Sequence, residues 1–138
     1  MGKIIRDVMT SNPCTIDADK DIAYAAKMLK DEDVGIAPIV EGDQLIGVLT
    51  DRDIAIKVVA EGKDPRSTTV REIASTNVVT IDPQQDLDEA LRLMAQHKVR
   101  RLPVVEEDGK LVGILAQADV ALTADDTKTG ELVEEISK

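Results

Sequence analysis

Thr50 and Asp53 stand three residues apart, directly after the apolar run Leu45-Ile46-Gly47-Val48-Leu49, and that spacing has two chemical readings. At a helix N-terminus a hydroxyl lies beside free backbone N–H groups and the positive dipole end, which suits phosphate or ribose oxygens. A carboxylate one turn later accepts hydrogen bonds from both hydroxyls of a ribose diol, as acids do in dinucleotide folds. Small Gly47 would let a ligand approach the backbone closely. The other reading is a capping box, with Thr50 as N-cap and Asp53 three residues on, which needs no ligand. The two are compatible. A second motif runs from Gly113 to Asp119 with Ala116 where Thr50 stands, so a reciprocal box cannot form there, yet Asp119 remains.

A second cluster is cationic. Lys98, Arg100 and Arg101 put three positive charges within four residues, just before Leu102-Pro103, in an otherwise acidic chain. Arginine's planar fork suits phosphate oxygens, so this is a candidate anion site. The alternative is a solvated edge paired with neighbouring Glu and Asp.

Other residue types exclude chemistry. His97 is the only histidine and Cys14 the only cysteine, so no Cys/His set has zinc spacing and no nucleophile–histidine–acid set is readable. The acidic residues lack the spacing of a calcium loop. No nucleophile, general base or metal constellation points to an enzyme. Cys14 reads as a buried small hydrophobe, with a redox or metal handle as the alternative, and Met9, Met28 and Met94 read as core gap-fillers.

The elements that position these residues are written twice. Thr15-Ile16-Asp17, Asp21, Ala25, Val34, Pro38, Val40, Gly47, Leu49 and Asp53 recur as Thr80-Ile81-Asp82, Asp86, Ala90, Val99, Pro103, Val105, Gly113, Leu115 and Asp119. The offset grows by one residue at Gly109, in a turn, as expected for a duplicated folded unit. The period exceeds the roughly 20–50 residues of solenoid repeats, which favours a paired domain. Ile22, Ala25, Ala26 and Leu29 fall on one helical face, as do Leu87, Ala90, Leu91 and Met94. Each helix leads into a predicted hairpin: 37–40 with 45–49, and 102–105 with 111–115. Proline early in the first strand of each hairpin suits an edge or a strand entry. A second helix follows at Thr50 or Ala116, and both copies open with a related lead-in, Ile5-Arg6-Asp7-Val8 and Val70-Arg71-Glu72-Ile73.

The chain has 138 residues, one Tyr, no Trp and no Phe, and a net charge of −10 from 17 basic and 27 acidic residues. About 60 residues per copy is marginal alone, so the copies are expected to pack together. The charge opposes phosphate attraction to nucleic acid and adsorption to anionic membranes, and aromatic base-stacking platforms are lacking. A lone cysteine suits a reducing cytosol, no stretch reaches a membrane span, and no signal-peptide apolar region opens the chain, so the expected location is cytoplasmic.

Taken together, the doubled β-α-β-β-α unit, the Pro-apolar-apolar strand and Gly47-Val48-Leu49-Thr50-Asp51-Arg52-Asp53 resemble the tandem cystathionine-β-synthase (CBS) domain pair, or Bateman module, of the small stand-alone prokaryotic type. The resemblance implies an α/β fold of two β-α-β-β-α units packed through their sheets with pseudo-two-fold symmetry. CBS unit 1 would span 5–60, a linker 61–69, CBS unit 2 70–123, and an acidic C-terminal tail 124–138. It further implies a non-catalytic regulatory module that binds an adenosine-containing molecule (AMP, ADP, ATP or S-adenosylmethionine) in clefts assembled from both repeats. No cofactor is required, a homodimer is expected, and an unidentified protein partner would receive the signal. One cleft would use Thr50 and Asp53 with Val79, Thr80 and Arg101, flanked by Arg100. The other would use Asp119 with Thr15, Arg52 and 36–38, and departs from the pattern at Ala116. The Thr50/Asp53 cleft is therefore the expected nucleotide site. The alternatives are an interaction module with vestigial clefts, or an S-adenosylmethionine binder, whose cationic sulfonium suits Arg100 and Arg101 poorly.

Overall fold

Two short lead-ins decide how the chain is partitioned. The computed structural model describes residues 3–123; the acidic tail expected at 124–138 lies outside the described residues. In chain order the elements are α1 (Ile5–Val8), β1 (Thr10–Ser11), β2 (Ile16–Asp17), α2 (Ile22–Glu32), β3 (Ile36–Glu41), β4 (Gln44–Thr50) and α3 (Asp51–Ile54). A π-helical segment, Ala55–Val59, continues α3, and α4 (Val70–Ile73), α5 (Leu87–His97), β5 (Arg101–Val105), β6 (Leu111–Ala116) and α6 (Gln117–Thr123) follow. The chain forms two compact units. One is Cys14–Val78; the other joins the chain up to Pro13 to the chain from Val79 onward. Each unit thus contains the body of one copy and the lead-in of the other.

In the Cys14–Val78 unit the sheet order is β2-β3-β4, with β2 parallel and β4 antiparallel to β3. Beyond β4, Val48 and Ser75 exchange hydrogen bonds of 3.0 and 2.9 Å, so the second lead-in covers that edge. Asp21 caps α2 by accepting from the Tyr24 N–H at 2.8 Å, and Asp33 ends it in the left-handed region at φ 54°. Its inner face buries Ile22, Ala25 and Leu29 against Ile16, Ile39 and Leu49. Each of these Ile and Leu side chains contributes about 1.5–3 kcal/mol on burial. Ala26, expected on the same face, is exposed, because the buried stripe is narrower and Met28 packs at its margin. Residues 61–69, expected as a linker, engage this unit: the Thr68 carbonyl accepts from Ile22 N–H at 2.9 Å and the Pro65 carbonyl from Ala23 N–H at 3.1 Å, and Thr68 is buried. These contacts satisfy N–H groups that a helix start leaves without partners.

The other unit repeats the plan. Its sheet order is β1-β6-β5, both pairs antiparallel, with Ile81 bridging in parallel to Val104 on the far side of β5. Thr10 of the first lead-in pairs with Ile114, as Ser75 does with Val48. The core gathers Ile5, Leu87, Leu91, Met94, Leu102 and Leu115. Asp86 caps α5 from Glu89 N–H at 2.9 Å, and Lys98 ends it at φ 56°. Both hairpins carry a register irregularity at matching places, Ile39/Val40 and Val104/Val105. Gly109, the extra residue of copy two, sits in the hairpin turn at φ +88°, a backbone state that disfavours any side chain.

Pro38 departs from its expected place. It is the third residue of β3, the middle strand of its sheet. It is tolerated there because β2 begins pairing only at Ile39, so β3 is bordered at Pro38 on the β4 side alone. Cys14 also departs: it is exposed, since it lies two residues ahead of β2 where the chain has not yet entered the sheet.

Candidate functional site

The end of β4 builds the first candidate site within Cys14–Val78. Thr50 keeps an extended backbone (φ −113°, ψ 160°) and begins the helical run that follows. Its hydroxyl accepts from the Asp53 N–H at 3.0 Å, and its own N–H donates to Asp53 Oδ2 at 3.0 Å. The capping box is therefore fully formed. The register holds it in place: Thr50 pairs with Ile36 across the hairpin, and Asp51 N–H donates to the Gly35 carbonyl at 3.0 Å. The Asp53 side chain is only 13% exposed, and its Oδ1 lies 3.2 Å from the Lys57 ammonium. An ionised carboxylate has about four acceptor positions, so capacity for hydroxyl donors remains after these two contacts.

Lys57 was not singled out by sequence reasoning. The available signal was its spacing, four residues after Asp53 on one helix, which brings opposite charges together. Its ammonium also donates to the Ile73 carbonyl at 3.2 Å. Arg52 is exposed and makes no ion pair among the described residues.

Gly47 is corrected. A Cβ there would meet the Ser75 carbonyl oxygen at 2.6 Å, so the close approach belongs to the second lead-in. Gly113 behaves likewise, with the Thr10 carbonyl 2.8 Å from where its Cβ would be. The motif glycine admits a neighbouring strand in both units.

In the other unit, register places Val79, Thr80, Arg100, Arg101 and Asp119 at one end of the sheet. Ile81 aligns with Val104, so the two residues before it lie toward the start of β5, where Arg101 pairs with Ala116. Gln117 N–H donates to the Arg100 carbonyl at 2.8 Å, and Asp119 Oδ2 accepts from Ala116 N–H at 3.0 Å. Half of the box thus survives the loss of the hydroxyl. Val79 is half-buried against the core, whereas Thr80, Arg100 and Arg101 are exposed. Lys98, Arg100 and Arg101 make no ion pair among the described residues.

Thr50, Arg52 and Asp53 thus belong to one compact unit, and Val79, Thr80, Arg100, Arg101 and Asp119 to the other. Among the described residues, no group of three or more His, Cys, Asp and Glu side chains is arranged to hold a metal, and no helix is long and apolar enough to cross a membrane.

Comparison with known proteins agrees with this architecture. The CBS domain family matches twice, over residues 5–60 and 70–125. The CBS domain-containing protein YhcV of Bacillus subtilis is 43% identical over 118 residues, covering 86% of this chain and 83% of that protein. The crystal structure of Hypoxic Response Protein I with two coordinated zinc ions superposes with a TM-score of 0.79 at 37% identity, over 87% of this chain and 98% of that one. The crystal structure of CBSX2 in complex with AMP gives a TM-score of 0.79 at 27% identity, over 92% and 99% of the two chains. The chain belongs to the CBS domain family and carries two CBS domains in tandem.

Proposed function

We propose that the chain is a non-catalytic sensor that binds an adenine nucleotide, AMP, ADP or ATP, and passes occupancy to a protein partner or to the geometry of its own homodimer. The observation that carries this reading is the end of β4, where a largely buried carboxylate, Asp53, keeps acceptor capacity beside the Thr50 hydroxyl at a helix start. In the proposed mode Asp53 takes the ribose hydroxyls and Thr50 an adjoining oxygen. Arg101, flanked by Arg100, takes the phosphates, and Val79 and Thr80 flank the ligand. Asp119, with Arg52, belongs to a second, weaker site. The likeness to a protein crystallised with AMP supports the ligand class. Two ligand states with different affinities would convert occupancy into a signal. Exposed Ile56 and Val59, with Leu122 at the position matching Ile56, support association with a second copy, which light scattering measures.

Ligand-induced thermal shift tests the reading. AMP, ADP, ATP, S-adenosylmethionine and NAD are compared on wild type, Asp53→Ala, Arg101→Ala and Asp119→Ala, each variant against its own ligand-free melting point. At 100 times Kd a ligand adds about 2.7 kcal/mol. Phosphorylated ligands should shift wild type and Asp119→Ala but not Asp53→Ala. No shift with any of the five overturns the nucleotide reading and leaves an interaction module.

A further inference from the structure

Lys57 gives the Asp53 carboxylate a second anchor. Oδ2 is held by the Thr50 N–H at 3.0 Å and Oδ1 by the Lys57 ammonium at 3.2 Å. The ammonium is itself steadied by the Ile73 carbonyl at 3.2 Å. An aspartate's terminal torsion is broad, so one anchor leaves the carboxylate plane free to turn, whereas an anchor on each oxygen fixes it. The spacing of four residues along one helical run brings the two charges together, and Lys57 lies within the π-helical segment, where Ala60 N–H donates to the Ala55 carbonyl at 2.9 Å. Among the described residues, copy two has no such arrangement. Thr123 occupies the matching position and donates to the Asp119 backbone carbonyl at 2.7 Å, leaving the Asp119 carboxylate with its bond to Ala116.

We propose that Lys57 is the positioning residue for Asp53: by fixing the carboxylate plane it aims the free acceptor positions at the two hydroxyls of a ribose, and so sets a preference for ribonucleotides over deoxyribonucleotides. This rests on the reading of Asp53 as the sugar contact. Isothermal titration of AMP, 2′-deoxy-AMP and adenosine into wild type, Lys57→Met and Lys57→Arg tests it. Wild type should prefer AMP over 2′-deoxy-AMP by about tenfold, the loss of one hydrogen bond to a charged group. In Lys57→Met the preference should fall to about twofold, and Lys57→Arg should restore most of it. The ratio of AMP to adenosine affinity, which reports the phosphate contact, should stay at its wild-type value in both. A merely structural role would weaken all three ligands together. Melting curves verify that each variant folds, and Lys57→Gln replaces the methionine variant if it does not. An unchanged AMP to 2′-deoxy-AMP ratio in the variant overturns the inference. A wild type that binds the two equally overturns it while leaving nucleotide binding intact. A wild type that binds no AMP overturns the nucleotide reading, and this inference with it.

Discussion

Replacing Gly47 with alanine should unseat the crossing between β4 and the second lead-in. The φ of Gly47 lies outside the left-handed region, so the added methyl brings no backbone strain and its whole effect is steric. The new Cβ would stand 2.6 Å from the Ser75 carbonyl oxygen, and ordinary contact begins at 3.4 Å. The obstacle is backbone, held by the Val48–Ser75 hydrogen bonds of 3.0 and 2.9 Å, so it cannot swing aside as a side chain would. Two weakened backbone hydrogen bonds and one overpacked contact together cost about 2–4 kcal/mol. For a chain of this length that lowers the melting temperature by about 6–15 °C. Urea denaturation and thermal melts followed by circular dichroism read both quantities. Gly113→Ala should cost less, because one of its contacts is the flexible Met9 side chain, although the Thr10 carbonyl is still met at 2.8 Å. Gly35→Ala, facing only the Asp51 carboxylate at 3.3 Å, should cost less than about 1 kcal/mol. A Gly47→Ala variant within about 0.5 kcal/mol of wild type would refute the reasoning.

Three further outcomes are expected. Asp53→Ala, which loses the bond from Thr50 N–H and the pairing with Lys57, should cost about 1–2 kcal/mol in urea titrations. Asp119→Ala, which loses the bond from Ala116 N–H, should cost about 0.5–1 kcal/mol, and equal costs would contradict the geometry. Glu72 is held below the ordinary glutamate value of 4.5, first by the Thr69 backbone N–H and then by the Thr69 hydroxyl. A depressed folded value makes its contribution full above 4.5 and lost as pH falls through the lower folded value. The stability gap between wild type and Glu72→Gln should therefore be flat near neutrality and close across that acidic window; a gap that widens on acidification would contradict it. Partial desolvation, then the charge and hydrogen bond of Glu32, push the Cys14 thiol above its ordinary value. Alkylation by iodoacetamide at about pH 8 should run slower than for a cysteine peptide, and Glu32→Gln should speed it. A rate at or above that of the peptide refutes this.

Local features were legible in the chain, and features that depend on distant partners were not. Both long helices, both hairpins and the Thr50–Asp53 box are set within a few residues, where propensity and hydrogen bonding act directly. Gly109 was readable as a turn insertion for the same reason. The role of Gly47 was not readable, because its partner Ser75 lies on a segment whose destination depends on which sheet edge is open. Nothing in Ile5–Val8 or Val70–Ile73 states that each packs with the other copy's body; the related sequences suggest instead that each belongs to its own. Cys14 and Ala26 were misjudged because a residue type sets an average burial, while the sheet margin and stripe width decide the individual case. Among the candidate residues, the acids were singled out by motif and Arg100 and Arg101 by their charge cluster, while Lys57 was passed over although its spacing from Asp53 was in plain sight.

The crossing of lead-ins bears on how such a molecule can be cut or can have arisen. Severing the chain between residues 60 and 70 would leave each fragment with a bare strand edge and a spare strand that fits only its counterpart. Severing it near 13–14 and 78–79 would follow the true seams. An ancestor holding one copy would have carried its lead-in ahead of the strand at one edge of its sheet, while the vacancy lay at the opposite edge. Two such molecules would complete each other by trading strands, so reciprocal pairing would have preceded the fusion that made it permanent.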